Sequence, residues 1–270
     1  MSSIRFALNH MCAPSLSLEA FFSAAKSLGI DSVEIRNDLA GNAIIDGTPA
    51  AAVKALAAQY GLTIISINAL QRFNAWNEVR AQEAAELIDY ARDCGAKALV
   101  LVPANDGSGR EPEVRRQNLQ TALTALKPML DEAGIIGLVE PLGFEICSLS
   151  SKTEAAAAIK SLSAQSTFRL VHDTFHHHLA GETATFPELT GLVHISGVSD
   201  PTVSVSDMRD PHRVLVDASD RLDNAGQIRA LLSAGYAGPF SFEPFAADVH
   251  ALKEPVDALR QSMAYLSAQV

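Results

Sequence analysis

Four polar residues with metal-binding chemistry lie in apolar runs of the sequence that have the composition of β-strands. They are Glu140, Asp173, His194 and Glu243, in the segments IGLVEPL, FRLVHDTF, LVHIS and FSFEPF, respectively. A carboxylate or imidazole removed from water is costly unless it is paired or bound to a cation. Because all four fall near the C-terminal ends of successive strand-like runs, we expect them to converge on one point. Three oxygen donors and one imidazole would suit a single divalent metal, with Zn or Mn as first choices and Mg or Co as alternatives.

Histidines continue beyond Asp173, in the stretch Asp-Thr-Phe-His176-His177-His178. Successive residues after a strand point in different directions, so at most two of the three imidazoles can face one centre. We expect His176 to lie near the metal and to contact the substrate. His177 and His178 are expected to pack at the start of a helix.

Charged residues of both signs crowd the segment DMRDPHR at positions 207–213. Most of them are expected to be solvated, but Arg213 is predicted to bind substrate because a guanidinium stays charged and can bind two oxygens at once. Other polar residues fall at strand ends on the same side. Substrate contacts are expected from Glu34, Arg36 and Asn68, with Asn9 and His10 as further candidates.

Short runs rich in β-branched residues alternate with longer segments of helical period, a pattern typical of βα units that form a parallel sheet. Glycines close the helical segments just before the next strand, where a left-handed residue is favoured, at Gly29, Gly61, Gly95, Gly134 and Gly235. Eight strands are predicted: Ile4 to Asn9, Ser32 to Arg36, Thr63 to Asn68, Ala98 to Val102, Ile136 to Leu142, Phe168 to Thr174, Leu192 to Val198 and Pro239 to Phe245.

Eight βα units predict an α/β fold, a single (β/α)8 TIM barrel over residues 1–270, rather than an open doubly wound sheet. The first turn has no Gly-x-Gly-x-x-Gly motif that would indicate nucleotide binding. The longest connection separates strands 7 and 8. A polar loop from Ser199 to Asn224 is therefore expected to lie over the C-terminal face, where barrel enzymes keep their active sites.

The composition favours a small-molecule substrate. Hydrophobic residues make up 48% of the chain, which is ample for a large core, and the net charge of -10 gives no basic footprint for nucleic acid or an anionic membrane. The three cysteines, Cys12, Cys94 and Cys147, are expected to be free thiols. Without a leader-like start or an apolar run of membrane length, the expected location is the cytoplasm. Apolar side chains at Phe73 and Trp76 are expected to be exposed and to suit a homo-oligomeric interface.

The motifs together resemble the xylose-isomerase-like barrel superfamily, and within it the inosose (2-keto-myo-inositol) isomerases of inositol catabolism. The resemblance spans essentially the whole chain and is carried by VEIR at 33–36, NAL at 68–70, the Glu140 strand, DTFH at 173–176, His194, DPHR at 210–213, GYAG at 235–238 and SFEPF at 241–245. It implies that Glu140, Asp173, His194 and Glu243 bind one divalent metal, and that His176 and Arg213 hold the substrate.

The resemblance leads to a specific expectation for the reaction. A carbonyl beside a carbinol is moved by removing a weakly acidic carbon-bound proton, and a divalent metal can stabilise the resulting enediolate as a Lewis acid. Glu140 and Glu243 are expected to serve as general base and general acid while also binding the metal. The expected activity is a metal-dependent intramolecular oxidoreductase, an isomerase of a polyol ketone with inosose as the first-choice substrate.

Several alternatives remain open. A hydroxypyruvate isomerase, a ketose 3-epimerase or a dehydroshikimate-type dehydratase of the same superfamily would use the same four ligands. An apurinic endonuclease would need a three-zinc cluster with further histidines, where the ends of strands 3 and 4 offer Asn68 and Pro103. A non-catalytic sugar-binding barrel is the alternative outside enzymes.

Overall fold

Eight parallel strands close into a barrel, in which each strand pairs with the next along the chain and the last pairs with the first. The structure is a computed structural model that describes residues 4–39, 41, 44 and 47–270. The predicted (β/α)8 barrel is confirmed. The strands are β1 Phe6–Asn9, β2 Ser32–Arg36, β3 Thr63–Gln71, β4 Ala98–Val102, β5 Ile136–Val139, β6 Phe168–Asp173, β7 Thr190–Ile195 and β8 Phe240–Phe242.

Helices surround the barrel and connect its strands. Polar side chains start several of them; for example, Asn77 accepts a hydrogen bond from the Arg80 amide at the first turn of a helix. In the described part of the chain the α-helices are α1 Leu18–Ser27, α2 Ala50–Tyr60, α3 Glu78–Cys94, α4 Pro112–Ala133, α5 Lys152–Ser161, α6 Thr174–Ala180, α7 Asn224–Ser233, α8 Ala247–His250 and α9 Pro255–Gln269. Short 3-10 helices span His10–Cys12, Val205–Asp207 and Asp210–His212.

Successive side chains of each strand point alternately into the barrel and toward the surrounding helices, as β7 shows. Leu192 packs with residues of other strands in a small cluster inside the barrel, whereas Val193 and Ile195 belong to the large core between strands and helices. His194 therefore returns to the barrel interior, above Leu192. The same alternation on β6 turns His172 outward and Asp173 inward, so apolar layers fill the lower barrel and polar groups occupy its C-terminal end.

Strands β5 and β8 end three residues earlier than the sequence predicts. We expected runs to Leu142 and Phe245, but β5 ends just before Glu140 and β8 ends just before Glu243. The residue after each glutamate is a proline, which has no N–H for the strand ladder. Both glutamates consequently stand at the rim of the barrel rather than within a strand.

The expected boundaries of β7 were also wrong, because the strand begins earlier and ends at Ile195. Gly197 instead forms an antiparallel bridge with Val214 of the following loop, with backbone hydrogen bonds of 2.7 and 2.8 Å. This bridge fastens the long loop between β7 and α7 to the end of the barrel. In that loop Met208 and Arg213 are buried, Met208 in a satellite core with Phe175, whereas most of the other loop residues are exposed or partly exposed, as expected.

The glycines predicted to end helices all have positive φ. Gly61, for instance, has φ of 64° and ends α2 in the left-handed conformation. The three cysteines are buried free thiols, as expected. No helix within the described residues combines the length and the apolar character that a bilayer-spanning segment requires.

One predicted surface feature is wrong. Phe73 was expected to be exposed, but its side chain is fully buried in the main core, and Trp76 packs partly buried against the same core. Although both lie just beyond β3, the chain turns inward there and Phe73 donates its backbone N–H to the carbonyl of Val102 at 3.0 Å. Phe73 therefore offers no surface to a partner, whereas the Trp76 side chain remains partly exposed.

Candidate metal centre and active site

The four sequence-predicted ligands meet at the C-terminal end of the barrel. Glu140 follows β5, Asp173 ends β6, His194 lies in β7 and Glu243 follows β8, and all four are buried. One ligand atom from each lies within 4.8 Å of the corresponding atoms of the other three. Nδ1 of His194 is 3.0 Å from Oε1 of Glu140, 3.2 Å from Oε2 of Glu243 and 3.9 Å from Oδ2 of Asp173.

The opposite edge of the His194 ring is held by Glu34 of β2. Nε2 of His194 lies 3.2 Å from Oε2 of Glu34, and that carboxylate also accepts hydrogen bonds from the Ser66 hydroxyl and, at 2.8 Å, from the Asn68 amide. Glu34 is fully buried. A carboxylate on the far nitrogen of a histidine fixes its tautomer and points the other nitrogen at a metal. The contacts of Glu34 thus favour a role in orienting His194 over the direct substrate contact expected from the sequence.

Two arginines hold Glu243 in place. Nη1 of Arg36 donates to Oε1 of Glu243 at 2.7 Å, and Nη2 of Arg213 lies 3.0 Å from Oε2 of Glu243 and 2.6 Å from Asp173. Asn9 donates to the same Oε1 at 3.1 Å. Burial alone would raise the pKa of Glu243, but the charges of His194, Arg213 and Arg36 outweigh it and hold that pKa well below its ordinary value. Glu243 is therefore a fixed carboxylate.

Glu140 has a different environment from Glu243. Its one side-chain hydrogen-bond partner in the described part of the chain is Nδ1 of His194. Burial raises the pKa of Glu140; the charge of His194 opposes this shift, and those of Glu243 and Asp173 reinforce it. Two carboxylates whose surroundings move their pKa values apart are suited to different roles. Of the pair, Glu140 has the surroundings that favour the neutral carboxyl form.

Glu140 and Glu243 of the cluster line a cavity of about 360 Å³. Of the expected substrate-binding residues, Arg36, Asn68, His176 and Arg213 line it. His176 has an Nδ1 without a partner among the described residues. Glu34, Asn9 and His10 are not in the wall. His10 instead stacks on Phe21 with ring centroids 4.3 Å apart and donates from Nε2 to the Leu16 carbonyl, and burial lowers its pKa to about 4.

Two residues of the cavity wall, Phe245 and Asp38, are not among the predicted site residues. Phe245 lies between the two arginines, with its ring centroid 4.5 Å from Cζ of Arg213 and 5.6 Å from that of Arg36. Asp38 holds the Arg36 guanidinium by two hydrogen bonds of 2.8 Å. Both lie two residues after a predicted site residue, Phe245 after Glu243 and Asp38 after Arg36. Both could therefore have been predicted by including the positions that closely follow the strand-end site residues.

A buried lysine network lies behind Asp173 and was missed entirely. Nζ of Lys152, at the start of α5, donates to Nδ1 of His172 at 2.9 Å and to Nδ1 of His177 at 2.6 Å. His172 in turn donates from Nε2 to Gln227 at 2.9 Å. Burial lowers the pKa of Lys152 to about 7, against the opposing charges of Glu182 and Asp173. His177 thus lies in the last turn of α6 rather than at its start, with a partner that the sequence does not reveal.

Sequence and structural comparisons place this arrangement in a family. The profile described as Xylose isomerase-like TIM barrel matches residues 22–269. The chain belongs to this family. No protein with a curated description matches the sequence significantly.

Solved structures with the same xylose isomerase-like barrel extend the comparison. A xylose isomerase domain containing protein from Salmonella typhimurium LT2 is 35% identical, with a TM-score of 0.89 over 98% of this chain and 99% of that one. An IOLI protein with a bound zinc atom has 19% identity and a TM-score of 0.87 over 98% of each chain. An L-ribulose 3-epimerase has 16% identity and a TM-score of 0.72, covering 98% of this chain and 94% of the other. The last two likenesses concern the fold.

The four clustered residues of this xylose isomerase-like barrel fit a divalent cation. Burial by itself lowers the pKa of His194, but the surrounding carboxylates of Glu243, Glu34 and Glu140 raise it well above its ordinary value. The centre therefore favours positive charge strongly. Three oxygen donors and one nitrogen, backed by a histidine-orienting carboxylate, form a donor set that Zn, Mn, Co or Mg could occupy.

If Glu34 orients His194 toward a metal, Glu34→Gln should weaken metal affinity by about 10- to 100-fold while the fold survives, because the amide is isosteric but uncharged. Competition of Zn²⁺ or Mn²⁺ against a chromophoric chelator would measure this. The exposed Glu78→Gln is the matched control and should bind as the wild type does. Equal affinity in the Glu34 variant would mean that the carboxylate does not orient the ligand.

The lysine network predicts a pH-dependent stability. Lys152 has a folded-state pKa of about 7 against 10.5 in the unfolded chain. Between these two pKa values the unfolded chain binds more protons than the folded protein does, so the free energy of unfolding should rise with pH. Below pH 7 Lys152 is protonated in both states, and the folded protein bears the full cost of burying its charge. Lys152→Met lacks this contribution. The wild type should therefore gain about 1 kcal/mol per pH unit relative to the variant above neutrality.

Urea denaturation of wild type and Lys152→Met at several pH values between neutrality and the ordinary lysine pKa would test this expectation. Other titrating groups cancel in the difference between the two proteins. Parallel stability curves would show that Lys152 stays protonated in the folded barrel.

Proposed function

We propose that this protein is a divalent-metal-dependent isomerase that acts on an uncharged polyol ketone by proton transfer, with inosose as the first-choice substrate. The observation that carries the proposal is the buried cluster of Glu140, Asp173, His194 and Glu243, of which Glu140 and Glu243 line a cavity of about 360 Å³. Membership of the xylose isomerase-like family supports it. So does the fold shared with the zinc-bound IOLI protein and the L-ribulose 3-epimerase.

The charges around the cavity support an uncharged substrate. Each arginine in its wall has an aspartate partner: Arg36 pairs with Asp38, Arg72 with Asp106, and Arg213 with Asp210 at 3.4 Å. A phosphate-binding site would present guanidinium groups free to bind its oxygens. Here the guanidinium groups are already engaged, so hydroxyl groups, which can hydrogen-bond to both members of such pairs, are the favoured ligands.

The two glutamates would have unequal roles in the reaction. A bound divalent metal would supply Lewis-acid stabilisation of the negative charge that develops on the substrate oxygens. Glu140, with its raised pKa and single side-chain partner, would take the proton from one carbon and return it to the neighbouring carbon. Glu243, held by Arg36 and Arg213, would remain ionised throughout. His176, in the cavity wall, would hydrogen-bond a substrate hydroxyl.

Proton transfer predicts that the product carries deuterium when the reaction runs in D₂O. Proton NMR of the metal-reconstituted protein with a panel of inososes, ketoses and hydroxypyruvate would follow the loss of the carbon-bound proton and identify the preferred substrate class. A product formed without deuterium would indicate a hydride shift and contradict the scheme. Polyol binding without any exchange would instead indicate a non-catalytic barrel.

Glu140→Gln should lower the exchange rate by about 10²- to 10⁴-fold, the usual contribution of a general acid–base group. The fold should survive, because the amide has the same shape as the carboxylate. Glu132→Gln, an exposed position on α4, is the matched control and should retain full activity. Retained exchange in the Glu140 variant, with metal bound, would exclude Glu140 as the proton carrier.

A further inference from the structure

A second cavity adjoins the candidate active site. It measures about 570 Å³ and lies between the loop after β5, at residues 143–146, and the loop after β7, at residues 205–210. Asn105, Phe144 and Asp210 line both this cavity and the catalytic one. The two spaces are therefore continuous, and we refer to the second as the side groove.

The side groove has a mixed lining that brings exposed apolar side chains together beside polar ones, the latter being Asn105, Glu145, Ser206, Arg209 and Asp210. Ile146 and Val205 line it from the two different loops and are 48% and 42% exposed. The described residues include three other large apolar side chains with comparable exposure, which lie apart on α3, on α4 and after α8: Val79, Val114 and Leu252. Exposed apolar side chains gathered in one concave place indicate a binding surface, whereas scattered ones need no explanation.

Phe144 lies where the side groove meets the catalytic cavity. Its ring packs edge-on against His176, with centroids 5.0 Å apart, and lies 5.8 Å from the guanidinium carbon of Arg209. Arg209 is itself fixed by hydrogen bonds of 2.8 and 2.7 Å to the carbonyls of Ser206 and Met208. A group leaving the catalytic cavity past His176 would therefore meet the Phe144 ring and then enter the side groove, which Ile146 and Val205 line.

The catalytic cavity alone has room for one polyol ring. At about 360 Å³ it is within the usual range of roughly 300–1,000 Å³ for small-molecule sites. The side groove is larger still, so a free monosaccharide or inosose would leave it unfilled. Because the side groove is continuous with the catalytic cavity and carries apolar side chains, it would suit a substrate in which an apolar substituent is attached to the polyol ring.

We propose that the substrate carries an apolar, ring-sized group attached to its polyol ring, and that this group occupies the side groove. The inference rests on the proposed function for the polyol ring and extends it to the substituent. Ile146, Val205 and Phe144 would bind the substituent and so set the preference for substituted over bare polyol ketones.

A comparison of phenyl and methyl 3-keto-β-D-glucopyranosides tests the proposal, because the two ketones differ only in the group placed in the groove. Calorimetric titration of the metal-reconstituted protein should show about tenfold tighter binding of the phenyl compound. Ile146→Ser combined with Val205→Ser should reduce this ratio to less than twofold and leave methyl ketoside binding unchanged. The matched control is Val79→Ser combined with Val114→Ser, which should keep the tenfold ratio.

The outcomes separate this inference from the proposed function. If the preference for the phenyl compound is lost in the Ile146→Ser and Val205→Ser double variant, the inference is supported. This holds even if neither compound exchanges its carbon-bound protons, because the absence of exchange would count against the isomerase assignment alone. Equal binding of the two ketosides, selectivity that survives in the groove variant, or no binding of either compound would overturn the inference. A 3-ketoglucoside that carries a glucosyl group in place of the phenyl group is the polar comparison. If it bound as tightly as the phenyl compound, the assignment of an apolar substituent would also be overturned.

Discussion

Three buried carboxylates held around one imidazole are the constraint on which the functional end of this barrel depends. Like charges about 4 Å apart repel by about 4 kcal/mol at an effective dielectric constant near 20, so such a cluster persists only when positive charge is supplied. The structure supplies part of it through Arg36 and Arg213, which bind Glu243, and through the raised pKa of His194. The remainder is what a divalent cation would provide. The same surroundings hold the pKa of Glu243 low, whereas burial raises that of Glu140, and the proposed proton transfer by Glu140 rests on this difference.

The sequence predicted the barrel and the four clustered residues for the same physical reason. A polar residue in an apolar strand needs a partner, and parallel strands bring such residues together at their C-terminal ends. His176 and Arg213 reach the cavity as predicted. The errors at the strand ends arose because Pro141 and Pro244 interrupt the ladder directly after the glutamates, a local effect that the apolar pattern conceals.

Features that depend on how separate loops pack were not predictable from local pattern. Phe144 and Arg209 lie on different loops, and only the folded chain brings them together beside His176. Burial of Phe73 and Met208 follows from the inward path of loops that look polar or surface-like in sequence. The lysine network behind Asp173 depends on α5 and β6 meeting, and no spacing relates Lys152 to His172. Roles also changed with structure, since Glu34 contacts His194 rather than the cavity.

Anomalous diffraction from metal-reconstituted crystals tests most directly whether these four side chains bind one divalent ion. Data collected on both sides of the Zn or Mn absorption edge should show one strong peak per chain, about 2.0–2.3 Å from ligand atoms of Glu140, Asp173, His194 and Glu243. The peak should disappear in His194→Ala crystals prepared in the same way. No peak at this position, or a peak bound by other residues, would contradict the account.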